Sequence, residues 1–175
     1  ASDAQRANAL LGLASLFVYY PTERSKQAAR ESLALFERIG DEQGAAMARL
    51  TIAWEGQYTG GGAQRRAMVE RSRDVLGDAD HGWWRALTQY VEASLLLGEG
   101  AFDTAAEVWR RCVESLRSVG DRLMANAALA HLGVALRAAG AYDTALAMLS
   151  EAVVEARRLD SPHGLAFALV HLAHT

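Results

Sequence analysis

A chain of 175 residues with a net charge of −3, half of it hydrophobic and only two residues proline, has the length of one domain with a real core and the balance of an all-helical soluble protein. The charge lacks the basic excess with which nucleic-acid-binding domains neutralise phosphates, so direct nucleic-acid binding is not expected. Apolar runs such as Leu95-Leu96-Leu97 fall far short of the ~18 residues a membrane span needs, and a lone cysteine, Cys112, allows no internal disulfide.

Hydrophobic periodicity predicts nine helices, at about 4–19, 23–39, 42–57, 63–76, 81–98, 102–119, 122–139, 142–159 and 162–174. Tyr20-Pro21 stops the first, and Gly60-Gly61-Gly62 makes a flexible turn after the third. In the fourth, Arg65, Arg66, Arg71 and Arg73 are balanced by Glu70 and Asp74 and read as a solvated face. The fifth opens on His81-Gly82-Trp83-Trp84; position 84 continues the series 84, 87, 91, 94 and 95 and places Trp84 in the core, while Trp83 is either an exposed anchor or covered by a loop. In the seventh, Leu129, Leu132, Ala135 and Leu136 share one face; in the eighth, Leu146, Leu149, Ala152, Val153 and Ala156 do the same. Gly140 suits a helix C-cap, Asp121 and Asp143 suit helix N-termini, and Pro162 suits a first helical position.

The elements repeat. Gly100-Ala101-Phe102-Asp103-Thr104-Ala105 returns forty residues on as Gly140-Ala141-Tyr142-Asp143-Thr144-Ala145, and Ala128-Leu129-Ala130-His131-Leu132 returns as Ala168-Leu169-Val170-His171-Leu172. Asp41, Asp80, Asp121 and Asp160 follow one another at spacings of 39, 41 and 39. A period of this size is the mark of a solenoid of helix pairs, each of which buries its apolar face only against the next.

Residues 122–159 resemble a tetratricopeptide (TPR) repeat position by position: Leu129, Leu132-Gly133, Leu136, Gly140-x-Tyr142, Ala145, Leu149 and Ala152. The preceding period matches in its second half through Gly100, Phe102, Ala105, Trp109 and Cys112, but carries Glu92 where the family has glycine; earlier periods match loosely through Met47, Leu50-Thr51 and Trp54, and Leu10, Leu13-Ala14 and Phe17. The period exceeds the usual ~34 residues. With phrases such as Leu35-Phe36-Glu37-Arg38-Ile39-Gly40-Asp41, the chain resembles the long-repeat variant of bacterial MalT/LuxR- and AfsR-like regulators. The resemblance implies an α-solenoid of antiparallel hairpins in a right-handed superhelix, one repeat domain over 1–175 (repeats at about 4–39, 42–76, 81–119 and 122–159, with a partial one at 162–174), cut from a longer cytoplasmic regulator. It also implies that Cys112, at the family's small packing position, is a buried hydrophobe.

Chemistry is sparse. There is no phosphate loop, no HExxH and no metal-spaced cysteine set, so neither an enzyme nor a cofactor is expected. His131 and His171, one repeat apart, either line a groove that binds a carboxylate or a metal, or are partly exposed residues of an inward helix face; the second reading is preferred. Carrying over the family's inward positions gives a concave partner-binding face of Arg49, Ile52, Gln89, Tyr90, His131, Val134 and Arg137, in which Arg49 and Tyr90 are expected to be solvent-accessible. The lysines and asparagines of the chaperone-binding carboxylate clamp are missing, so that ligand class is set aside. The face suits an amphipathic or hydrophobic protein segment, or another domain of the parent chain. The alternative is a small-ligand or signal-peptide receptor with a pocket lined by Tyr90, Arg49 and His131. Leu165, Leu169 and Leu172 form an unpartnered stripe on the last helix through which a homodimer would form.

Overall fold

The computed structural model describes residues 2–16, 22–55, 61–76 and 82–175. Phe17, the Tyr20-Pro21 stop, Gly60, Asp80 and His81 lie outside the described residues. Among those residues the protein is all-α, with no strand. Its helices are α1 (Asp3–Ser15), α2 (Glu23–Ile39), α3 (Glu42–Glu55), α4 (Gly62–Leu76), α5 (Gly82–Gly98), α6 (Phe102–Ser118), α7 (Arg122–Ala138), α8 (Tyr142–Arg158) and α9 (Pro162–Ala173). Among the described residues the helix count agrees with the periodicity, and so does nearly every boundary that falls on them.

The forty-residue period is written into the backbone at half that interval. Gly100, Gly120 and Gly140 have φ of 82°, 79° and 83°, and Asp160 follows at 49°; Gly40 stands in the same state at 73°. Each ends a helix in the same way. The amide of Gly140 donates to the Arg137 carbonyl at 3.0 Å and that of Ala141 to the Leu136 carbonyl at 2.9 Å, and the same pair of bonds recurs at Gly40, Gly100, Gly120 and Asp160. This left-handed cap satisfies carbonyls that the helix leaves open, and reverses the chain within a few residues. The next helix is then capped from the connector. Asp41 Oδ1 accepts from the Gly44 amide at 2.9 Å, Asp121 Oδ1 from Met124 at 3.0 Å, and Ser161 Oγ from Gly164 at 3.3 Å. The acidic landmark at Asp160 therefore marks a helix end, and Ser161 holds the position equivalent to Asp41 and Asp121.

The chain divides into two compact units, Ala1–Val91 and Glu92–Thr175, with the division inside α5. In the first, α1 packs on α2, α2 on α3 and α3 on α4, and α1 also meets α3. Ala7, Leu11, Leu35, Phe36, Ala45 and Ala48 form its core, with Trp84 against the edge as expected. Trp83 is half-buried and meets Trp84 edge-on, 4.9 Å between centroids. In the second unit α6, α7, α8 and α9 pack in sequence and α7 also meets α9. Contact with both the next helix and the one after is how stacked hairpins bury a continuous core.

Small residues set the closeness of the helices. Ser32, Ser72, Cys112 and Ala152 stand forty residues apart and have no exposed surface. Ser32 Oγ donates to the Ala7 carbonyl at 2.9 Å and Ser72 Oγ to the Ala46 carbonyl at 3.0 Å, so each hydroxyl ties the second helix of a pair to the first. Burial pushes the pKa of the Cys112 thiol far up, which makes it the inert packing residue expected. Gly133 admits Leu149 so closely that an added Cβ would lie 2.5 Å from Leu149 Cγ, and Gly44 likewise admits the Phe36 ring.

Two expectations fail here. Leu146 does not join the buried face of α8: Ala145 takes that place in the first turn, and Leu146, about 100° further round the helix, is 49% exposed. The α4 arginines are not simply a solvated face, because Arg65 is half-buried and its Nε donates to the Ala53 carbonyl at 2.9 Å.

Candidate partner-binding face on α7 and α9

His131, Val134 and Arg137 recur every three residues along α7, so they share one face, and all three are half-buried. Short connectors bring α9 against this helix. The His131 ring lies nearly parallel to the buried Trp109 indole of α6, with centroids 5.0 Å apart and planes 12° apart. The same ring meets Phe167 of α9 at 4.7 Å between centroids, and Phe167 meets His171 at 4.4 Å. A row of rings, Trp109, His131, Phe167 and His171, thus runs from the interior to the α9 surface.

This setting fixes the charge states. Burial, and then the charge of His171, lowers the His131 pKa to about 4, so the ring is neutral near pH 7. The pKa of His171 is also lowered, first by burial and then by the positive charges of Arg137 and His174. Among the described residues no group of three His, Cys, Asp or Glu side chains could hold a metal ion.

The remaining site expectations fall in the first unit and fare differently. Arg49 and Tyr90 are 4% and 3% exposed, so the expected access from an open face is not found. Arg49 Nη2 pairs with Glu37 at 2.8 Å, its Nη1 lies 3.8 Å from Glu42, and Tyr90 packs on Trp54 with centroids 4.2 Å apart. The reason is packing: the residues at the same depth in α3 and α5 as His131 in α7, Thr51 and Val91, are 2% and 0% exposed, so the first unit is closed at this level of the helices in either register. Ile52 and Gln89 are half-buried, and Gln89 Oε1 is buried without a hydrogen-bond partner.

Two features went unread in the sequence. Phe167, which joins the two histidines, stands four residues before His171, one helical turn away, and that spacing was a usable signal. The second is a recess of about 370 Å³ lined by Arg117 of α6, Arg122, Ala125, Asn126 and Leu129 of α7, and Glu151 and Glu155 of α8. Arg117 pairs with Glu151 at 2.7 Å and Arg122 with Glu155 at 3.0 Å across its mouth, and Asn126, 4% exposed, has an unpartnered Oδ1.

No family model matches the chain, and no curated protein sequence matches it.

Proposed function

We propose that the chain is a TPR-like interaction module, of the long-repeat kind found in bacterial cytoplasmic regulators, and that it holds a protein segment on the α7–α9 face. The observation that carries this reading is the state of that face: His131, Val134 and Arg137 are half-buried, and the Arg137 side chain has no ion pair or hydrogen bond among the described residues. A structural arginine would be expected to resemble Arg49, which is buried and paired. The repeated caps and the stacking of second-neighbour helices support the solenoid assignment, which predicts further repeats in a longer parent chain. The absence from the described residues of any helix long and apolar enough to cross a membrane is compatible with a cytoplasmic module.

The test is site-specific photocrosslinking in the cells of origin, with the probe at Val134 or, as a control, at Val154 on α8, which is 45% exposed. A discrete conjugate from position 134 alone, whose purified protein component then binds the module with an affinity that Val134→Asp weakens at least tenfold, supports the proposal. Indistinguishable conjugates from both positions would remove it.

A further inference from the structure

The α7–α9 face ends in an arrangement that selects for one kind of charge. Arg137 Nε and His171 Nδ1 are buried without hydrogen-bond partners. The remaining nitrogens of the two side chains, the Arg137 terminal amino groups and His171 Nε2, are neither bonded to protein nor sealed from solvent among the described residues. A neutral imidazole loses least when its unpartnered buried nitrogen is the bare acceptor, because a buried N–H without an acceptor costs more. His171 therefore carries its proton on Nε2, the open nitrogen, and presents a donor. The Arg137 guanidinium presents further donors in a planar fork. Val134 and Phe167 supply an apolar border on the same face. The charges that act on His171 are those of Arg137 and His174, both cationic when charged, and no carboxylate is among them.

Resting on the interaction reading above, we propose that Arg137 and His171 form a subsite for the carboxylate of an aspartate or glutamate side chain on the bound segment, with an apolar neighbour of that residue seated on Val134 and Phe167. Charge complementarity makes the choice. A donor-only edge with no internal counter-ion accepts an anion, and a fork of two N–H groups matches the two oxygens of a carboxylate. The face continues along α7 from Arg137 past Val134 to His131, which suits a segment that passes across it and carries the acid as a side chain. This is different chemistry from the lysine and asparagine clamp set aside on sequence grounds, since it uses a guanidinium and an imidazole.

The experiment titrates the full chain with three peptides while following the Arg137 Nε–H, His171 ring and Val134 methyl signals by NMR. The first is N-acetyl-Leu-Ala-Ala-Glu amide, the second its Gln counterpart, and the third the Gln peptide with a free C-terminal carboxylate. The expected result is that the Glu peptide binds at least threefold more tightly than the Gln peptide and moves the Arg137 and His171 signals, that Arg137→Gln removes the difference, and that Arg137→Lys retains part of it. Equal affinity for the Glu and Gln peptides, with Val134 still responding, overturns the carboxylate subsite and leaves the interaction face standing. Preference for the free terminal carboxylate over the Glu side chain overturns the assignment to a side chain. A face that responds to none of the three overturns both this inference and the reading on which it rests.

Discussion

The imidazole of His131 lies nearly flat on the indole of Trp109, 5.0 Å between centroids. Burial at this position, and then the charge of His171, hold its pKa at about 4, below the ordinary histidine value. When the folded pKa is the lower one, stability is complete above the unfolded pKa, near 6.5, and is lost as pH falls from there through about 4. His131→Phe keeps an aromatic ring on Trp109 and removes the titration. The variant is expected to lose about 2–3 kcal/mol less than the parent between pH 6.5 and 4, read from urea unfolding at each pH. Parallel pH profiles would show that His131 is not held neutral.

Arg49 belongs to the interior of the first unit and not to a binding face. Arg49→Ala is expected to destabilise by about 2–4 kcal/mol, because it empties a packed position and removes the Arg49 contacts of Glu37 and Glu42. It is expected to leave partner affinity unchanged. Thermal unfolding and a binding isotherm on the same sample check both halves.

Gly133 is a contact and not merely a helix position. In an open helix Gly→Ala gains about 1 kcal/mol, but here the added methyl would collide with Leu149. Overpacking of this kind costs about 1–3 kcal/mol, so Gly133→Ala is expected to lower the Tm. A raised Tm would mean that α7 and α8 are further apart than the structure shows.

Asp160 does the work of a glycine. It holds φ of 49° at a position where Gly40, Gly100, Gly120 and Gly140 are relaxed. Asp160→Gly is expected to raise stability by about 0.5–1 kcal/mol through relief of left-handed strain, measured by chemical denaturation.

The helices were legible because nearly every device that makes them is local. The glycines at 40, 100, 120 and 140 and the aspartates at 41 and 121 sit at fixed distances from apolar stripes, and each acts within a few residues of itself. The buried role of Cys112 was legible for a related reason, since one position in forty must be small for the helices to meet. Which side of each helix faces out was harder to read. The helical pattern does not show what packs over a position, which is why Arg49 and Tyr90 were expected outside: Glu37 pairs with the first and Trp54 packs on the second. Leu146 failed because one residue, about 100° round the helix, separates it from the buried Ala145. The row from Trp109 to His171 joins three helices, and the recess beside Asn126 joins three as well; such constellations depend on packing that no single stretch of sequence encodes.

The central claim is that the α7–α9 face holds a partner. Its most direct test is calorimetric titration of the crosslinked partner, once purified, into Val134→Asp, Arg137→Glu and Val154→Asp proteins of matched thermal stability. Affinity is expected to fall at least tenfold for the first two and less than twofold for the third. Equal affinity across all three would contradict the placement of the binding face and the function built on it.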